Sequence, residues 1–274
     1  MQPSKIFPVD TRETETIENN YAIFFRQIKQ KLKAMKTIKF NFSTLIAALA
    51  LLTTSCVEDF TIRGNGITES DTRITSTFKE VKSSGAFDVH ISSGDDYEVV
   101  VVAETNILPY IETDVYGNTL EIDIRGLHNI RNTEPMEVYI TTPVLEGLKQ
   151  SGSGEITTDY FDSPLFDVAV SGSGRVITAV DCHNLRGRVS GSGMIILSGI
   201  ANDVTFKVSG SGRIDAFDMP TRDCDVTISG SGDVYTNVER FLDAEISGSG
   251  SIFYKGLPSI NQQISGSGKI INDN

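Results

Sequence analysis

Few side chains in this sequence suit catalysis. Histidine occurs at 90, 128 and 183, and cysteine at 56, 182 and 224. Cys182 and His183 are adjacent, which suggests a thiol–imidazole pair, but neighbours on an extended strand point to opposite sides. No Cys or His spacing suits zinc, and no calcium-binding nonapeptide run is present. Aspartates are plentiful, among them Asp159, Asp181, Asp203, Asp215, Asp225, Asp233 and Asp243. A polysaccharide-cleaving site would need several of them converging beside an Arg or Lys. Their positions within the repeat described below differ, so they read as turn formers and solvated faces. Arg175 and Arg213 share a repeat position but lack a clear acidic partner. The expectation is no catalytic residue, no metal and no cofactor.

Cys56 stands apart. It closes the run ALALLTTSC at residues 48–56, after the apolar stretch Leu45–Leu52 and the small residues Thr53, Thr54 and Ser55. Lys36 and Lys39 precede the apolar stretch, and Met35 stands just before them. A basic segment, a short apolar segment and a small-residue cleavage site make a signal peptide. The apolar run is too short to span a bilayer, which takes roughly 20 residues. The stretch resembles a bacterial lipoprotein signal, with Cys56 as the lipidation site, although Thr53 stands where Leu is usual. Residues 1–34 read as a mispredicted N-terminal extension, 35–55 as the signal peptide and 56–69 as a linker. The expected location is the cell envelope, as an outer membrane lipoprotein of a Gram-negative bacterium. Glu58 and Asp59 directly after the cysteine resemble a surface-export signal, with a solvated linker as the alternative.

The chain has 274 residues and a formal net charge of −12. Removing residues 1–55, with eight basic and four acidic residues, makes the remainder more acidic still. That balance argues against nucleic acid as a partner. The absence of Trp weakens a sugar-binding face built on large aromatic platforms.

The dominant pattern is a repeat. SGSG begins at 151, 171, 190, 209, 229, 247 and 265, in steps of 20, 19, 19, 20, 18 and 18. A fixed period of this length means one supersecondary unit stacked on itself. The flanks repeat too. One residue before each motif, from the second onward, stand Val170, Val189, Val208, Ile228, Ile246 and Ile264. Five before stand Phe166, Leu185, Val204, Cys224, Leu242 and Ile260. Polar residues such as Asp167, Arg188, Lys207 and Glu245 lie between, so one face of a strand is buried. Five after the first Ser come Ile156, Val176, Ile195, Ile214, Val234, Ile252 and Ile270; nine or ten after come Phe161, Val180, Ile200, Met219, Val238 and Leu257. Like positions stacked at about 4.8 Å predict an all-β parallel β-helix, a single-stranded solenoid of about 19 residues per coil. No six-residue sub-period points to the left-handed hexapeptide helix.

The motif itself reads as structural: Ser171, Gly172, Ser173 and Gly174; Ser190, Gly191, Ser192 and Gly193; Ser209, Gly210, Ser211 and Gly212. On a straight strand both glycines face in and both serines out. At a corner that parity breaks and the serines face in. Either way stacked hydroxyls, each donor and acceptor, are placed to bond along a column. Cys182 and Cys224 lie two coils apart, about 10 Å, beyond the roughly 7 Å reach of a disulfide. Two separate thiols are expected, with a distorted corner as the alternative.

Residues 61–144 are strand-rich but less regular, and read as early coils or an N-terminal cap. The segments FKEVKSSGAFDVHISSG, YEVVVVAETNILPYIETDVYGNTLEI and MEVYITTPVLEGLKQSGSG, followed by the SGSG coils, resemble the putative auto-transporter adhesin head GIN domain family. The resemblance covers roughly 70–274, with regular coils over 151–274. It implies a right-handed β-helix on a signal-bearing or lipid-anchored bacterial protein. The expected function is therefore non-enzymatic: an envelope lipoprotein, anchored in the membrane through Cys56, presenting a solenoid for adhesion or assembly. A glycan, a protein or a second copy is the expected partner. The alternatives are a carbohydrate-active β-helix enzyme and a purely structural envelope lipoprotein. Lys269–Asn274 are expected either to cap the last coil or to leave it open for end-to-end association.

Overall fold

The computed structural model describes residues 61–126 and 128–274. The expected extension, signal peptide and lipidation site, Cys56, lie outside the described residues.

Five long strands make the regular coils: β11 (Glu155–Gly172), β12 (Arg175–Gly191), β13 (Met194–Gly210), β14 (Arg213–Gly230) and β15 (Asp233–Gly248). They follow β1 (Thr61–Arg63), β2 (Thr68–Arg73), β3 (Glu80–Gly85), β4 (Asp88–Ser93), β5 (Glu98–Glu104), β6 (Ile111–Tyr116), β7 (Thr119–Ile124), β8 (Asn129–Arg131), β9 (Glu137–Thr142) and β10 (Gly147–Gly152). β16 (Ser251–Lys255), β17 (Ser259–Gly266) and β18 (Lys269–Asn272) complete the last turns. The result is a β-solenoid of about 7 turns with ~19 residues per coil. Each long strand bends through a full coil and pairs in parallel with the next, so Val170 sits over Val189, Val189 over Val208 and Val208 over Ile228.

The period-two pattern places the core. Phe166, Val168, Val170, Val204, Phe206, Val208 and their equivalents are buried, as are Ile156, Val176, Ile195, Ile214, Val234 and Ile252 after the corner. Volumes compensate between coils: a Cβ on Gly187 would lie 2.8 Å from the Phe206 ring directly above it. Four expected core residues fall outside: Ile260 and Ile264 on the terminal strand β17, and two more at a second turn. Ile200 is 54% exposed and Leu257 89% exposed. The reason is register: Gly199, not Ile200, stacks on Val180, and Ile200 stacks on outward-facing Asp181. Gly256 takes the equivalent place beside Val238.

SGSG forms a corner, and its two glycines differ. Gly172, Gly191 and Gly210 adopt φ of 108°, 110° and 115°, a region that disfavours a side chain. A Cβ there would come within 2.8, 2.6 and 2.5 Å of the carbonyl oxygen of the corner glycine one coil below. Only the second glycines, Gly174, Gly193 and Gly212, are buried, while both serines of each motif are exposed. The straight-strand expectation for the glycines is thus corrected: the first marks the turn. The serines do not face in either. The corner ladder is a backbone one, with Ser173, Ser192 and Ser211 amides donating to the carbonyls of Gly152, Gly172 and Gly191, each at 2.9 Å.

The N-terminal part is both early coil and cap. β3 and β4 stack in parallel on β10 and on the start of β11. The Gly85 carbonyl accepts from the Ser153 amide at 3.1 Å, which extends the corner ladder one coil earlier. Antiparallel pairs β2–β5, β5–β9 and β6–β7 then close this end. Residues 61–63, expected within a linker, form β1 and pair with β8. At the other end β18 pairs with β16, and Asn274 bonds the backbone of Gly256. Neither covers β17, so Ile260 and Ile264 are 37% and 41% exposed.

Val208→Asp removes a buried aliphatic worth about 1.5–3 kcal/mol and adds an unpaired charge. Arg213→Ala loses a half-exposed contact over the Tyr235 ring, worth less than about 1 kcal/mol. Thermal melts of the two variants should differ accordingly, with Val208→Asp unfolding several coils.

Candidate functional site

Stacking turns each outward position into a column along the solenoid. The position two residues before each corner carries Lys82, Lys149, Ala169, Arg188, Lys207, Thr227, Glu245 and Gln263. Apart from Ala169, its early coils are basic and its later ones are not. Lys82 bonds Glu121 at 3.2 Å, Lys149 bonds Glu80 at 2.6 Å, and Arg188 grips both oxygens of Asp167 at 2.8 and 3.0 Å. Lys207 is exposed beside them. These cations border a shallow groove of about 500 Å³ lined by their own side chains, by outward Ala169 and Thr227, and by corner serines such as Ser190. Long basic side chains lay their alkyl stems along such a surface while their heads stay in water.

The same wall turns acidic further along. Asp203 stacks on Asp223, and Asp225 on Asp243. Asp223 is gripped by Arg240 and also bonds Arg222, so its carboxyl is held below the usual range. Asp225 is pushed up, first by burial and then by Asp243, Asp223 and Asp203. The sequence reading scattered these aspartates; alignment by stacked position gathers them.

Three other aspartates cap backbone. Asp181 accepts from the Ile200 amide at 2.8 Å, Asp215 from Phe217 at 3.4 Å and Asp233 from Ser251 at 3.2 Å. Asp159 is exposed beside the register shift in β11. Arg175 has an acidic partner after all: Glu155, one coil below in its own column, at 3.3 Å. Arg213 instead lies over the Tyr235 ring, 4.9 Å from its centroid.

Cys182 and Cys224 are free thiols, as expected. Burial, then nearby aspartates, pushes Cys182 up to about 12; burial does the same to Cys224. Both are protonated at neutral pH, when the thiolate is the nucleophile. His183 bonds Asn202 at 2.8 Å and faces Asp203 at 3.8 Å, so it forms no dyad with Cys182. His90 bonds Thr157 at 2.9 Å and stacks on Tyr139. His128 meets the edge of the Tyr110 ring. Among the described residues no group of three or more His, Cys, Asp or Glu side chains could hold a metal.

The family described as putative auto-transporter adhesin, head GIN domain, matches residues 77–258. The chain belongs to this family. No curated protein matches it. Among solved structures, this head GIN domain is similar to a protein described as a putative lipid binding protein from Parabacteroides distasonis. The identity is 28%, with a TM-score of 0.67, over 78% of this chain and 100% of that one. It is also similar to a putative adhesin from Bacteroides fragilis, at 25% identity and a TM-score of 0.73, over 77% and 99% of the two chains. A putative adhesin from Parabacteroides merdae, at 21% identity and a TM-score of 0.65, shares the fold over 78% and 99%.

Sequence reasoning missed two features. The Lys82–Lys149–Arg188–Lys207 column was legible by aligning repeats on their corners, except for Lys82, whose corner reads SGAF rather than SGSG. Glu104 gave no signal. It is fully buried. Its carboxylate accepts from the Thr133 hydroxyl at 2.6 Å, the Thr133 amide at 2.9 Å and the Gly66 amide at 2.5 Å. It thereby ties the segments flanking β1 and β8 to β5.

Those bonds, led by the Thr133 hydroxyl, lower the Glu104 carboxyl from 4.5 to about 2. A depressed carboxyl stabilises the fold above its unfolded value and loses that contribution as pH falls through its folded one. Protection factors near Gly66 and Thr133, corrected for the intrinsic pH dependence of exchange, should therefore fall between pH 4.5 and about 2. Glu104→Gln should show the lower protection already at neutral pH.

Proposed function

We propose that this chain is a lipid-anchored, non-enzymatic protein of the bacterial cell envelope that uses its solenoid wall for adhesion. The carrying observation is the groove bordered by Lys82, Lys149, Arg188 and Lys207 on an exposed, regular wall. Extended solenoid faces typically serve binding, and a basic column on an acidic chain favours an anionic partner. Membership of an adhesin family supports a surface or envelope location. The signal-like segment ending at Cys56 supports the anchor. A thiol held near 12 and aspartates engaged with backbone or arginine support a non-enzymatic reading.

A second reading is lipid binding. It is favoured by the alkyl stems and Ala169 that line the groove beneath the cationic heads and by the name of the Parabacteroides distasonis relative. The enzyme alternative rests on Asp203, Asp223, Asp225 and Asp243, which gather beside Arg222 and Arg240. A polysaccharide cleavage assay showing turnover abolished by Asp225→Asn would favour it over adhesion.

Two outcomes are expected. Cys56→Ser should abolish incorporation of a labelled fatty acid and release the protein from the membrane fraction; retained label would refute the anchor. Lys207→Glu should weaken binding to acidic glycans and matrix proteins by about tenfold, the effect of losing one charge-assisted contact of roughly 1.5 kcal/mol, while the melting curve stays unchanged. Preferential loss of binding to anionic vesicles instead would support the lipid reading.

A further inference from the structure

We propose that β17 is a pairing edge for a second copy of this chain, joined through an antiparallel β17–β17 contact about a twofold axis. Among the described residues β17 is hydrogen-bonded on one side only, to β15, and every residue in it is exposed. Sheets guard such edges with charges, proline, bulges or cover. The opposite edge of this wall, β6, carries Glu112 and Asp114. β17 reads Ser-Ile-Asn-Gln-Gln-Ile-Ser-Gly, with no charge and no proline. The coils before it place Asp225 and Asp243 where β17 has Asn261, and Thr227 and Glu245 where it has Gln263. Charge is dropped at the edge that would most need it if it stayed unpaired.

The strand also complements itself. In an antiparallel pairing centred on Gln262, Ser259 faces Ser265 of the second copy, Ile260 faces Ile264, Asn261 faces Gln263, and Gln262 meets its own equivalent. Ile260, Gln262 and Ile264 continue the inward columns of Leu242, Ala244 and Ile246. In this register inward residues meet inward residues, so the two interiors join into one. Gln262 lies between the two isoleucines, and a lone amide in an apolar seam fixes register. Asp243 and Glu245 of the two copies would lie three strand spacings apart, about 14 Å. That exceeds the screening length of about 8 Å at physiological salt. A twofold contact consumes both edges and closes, while the antiparallel strands at the other end block a head-to-tail chain.

The test uses the full chain in membranes and after purification. Light scattering over a dilution series should give a dimer mass, and Gln262→Lys should give a monomer with an unchanged circular dichroism spectrum. Gln262→Cys should cross-link copies efficiently under mild oxidation. Asn261→Cys should cross-link poorly, because it faces Gln263 rather than itself. Cys224 is buried, and Cys182, which is partly exposed, is replaced by Ser in both variants. A monomer at every concentration, a dimer that survives Gln262→Lys, or equal cross-linking at 261 and 262 would overturn the proposal.

Discussion

The backbone contact at the corner governs the rest of this molecule. Successive coils approach so closely there that the amide of one serine reaches the carbonyl of the glycine beneath it, at 2.9 Å for Ser192 on Gly172 and Ser211 on Gly191. No side chain fits between. The first glycine takes a dihedral that other residues avoid, and the second packs against the layer below, as Gly193 does on the Gly174 carbonyl. With the corner held, parallel register runs along the whole strand. The inward columns then align because every coil turns at the same residue. Burial of Val170, Val189, Val208 and Ile228 supplies the driving force, but the glycines decide which residues are buried.

That division of labour explains what was legible in the sequence. The period, the parallel stacking and most of the interior followed from alternation around SGSG, because strand parity and coil length are one-dimensional properties. The corner was harder. A straight strand and a turn make different claims about the same four residues, and only the backbone dihedrals separate Gly172 from Gly174. Ile200 and Leu257 were misplaced for a related reason. A second glycine turn, at Gly199 and Gly256, shifts the apolar residue onto an outer column without changing the repeat length. The antiparallel pairs of β5, β6 and β7 depend on contacts between distant segments and leave no periodic trace.

The candidate site was legible only in part. Arg188 and Lys207 were visible as polar positions between buried ones, and their alignment with Lys149 follows from the repeat. Glu155 as the partner of Arg175 needed one further step: in a parallel stack, an ion-pair partner lies one coil away at the same position. The same rule gathers Asp203 with Asp223 and Asp225 with Asp243. Spacing along the chain is thus a poor guide to electrostatic neighbours here, and spacing modulo the coil is a good one. Glu104 escaped both measures, because its partners Gly66 and Thr133 belong to the irregular region.

The corner bonds join main-chain atoms, so the scaffold is nearly indifferent to what its outer columns carry. Along one column the charge passes from Lys207 through Thr227 to Glu245 with no change in backbone pairing. Exterior residues can therefore drift one at a time, each altering recognition while leaving foldability intact. Such a surface can change what it recognises without rebuilding its scaffold, since the outer face and the architecture answer to different residues.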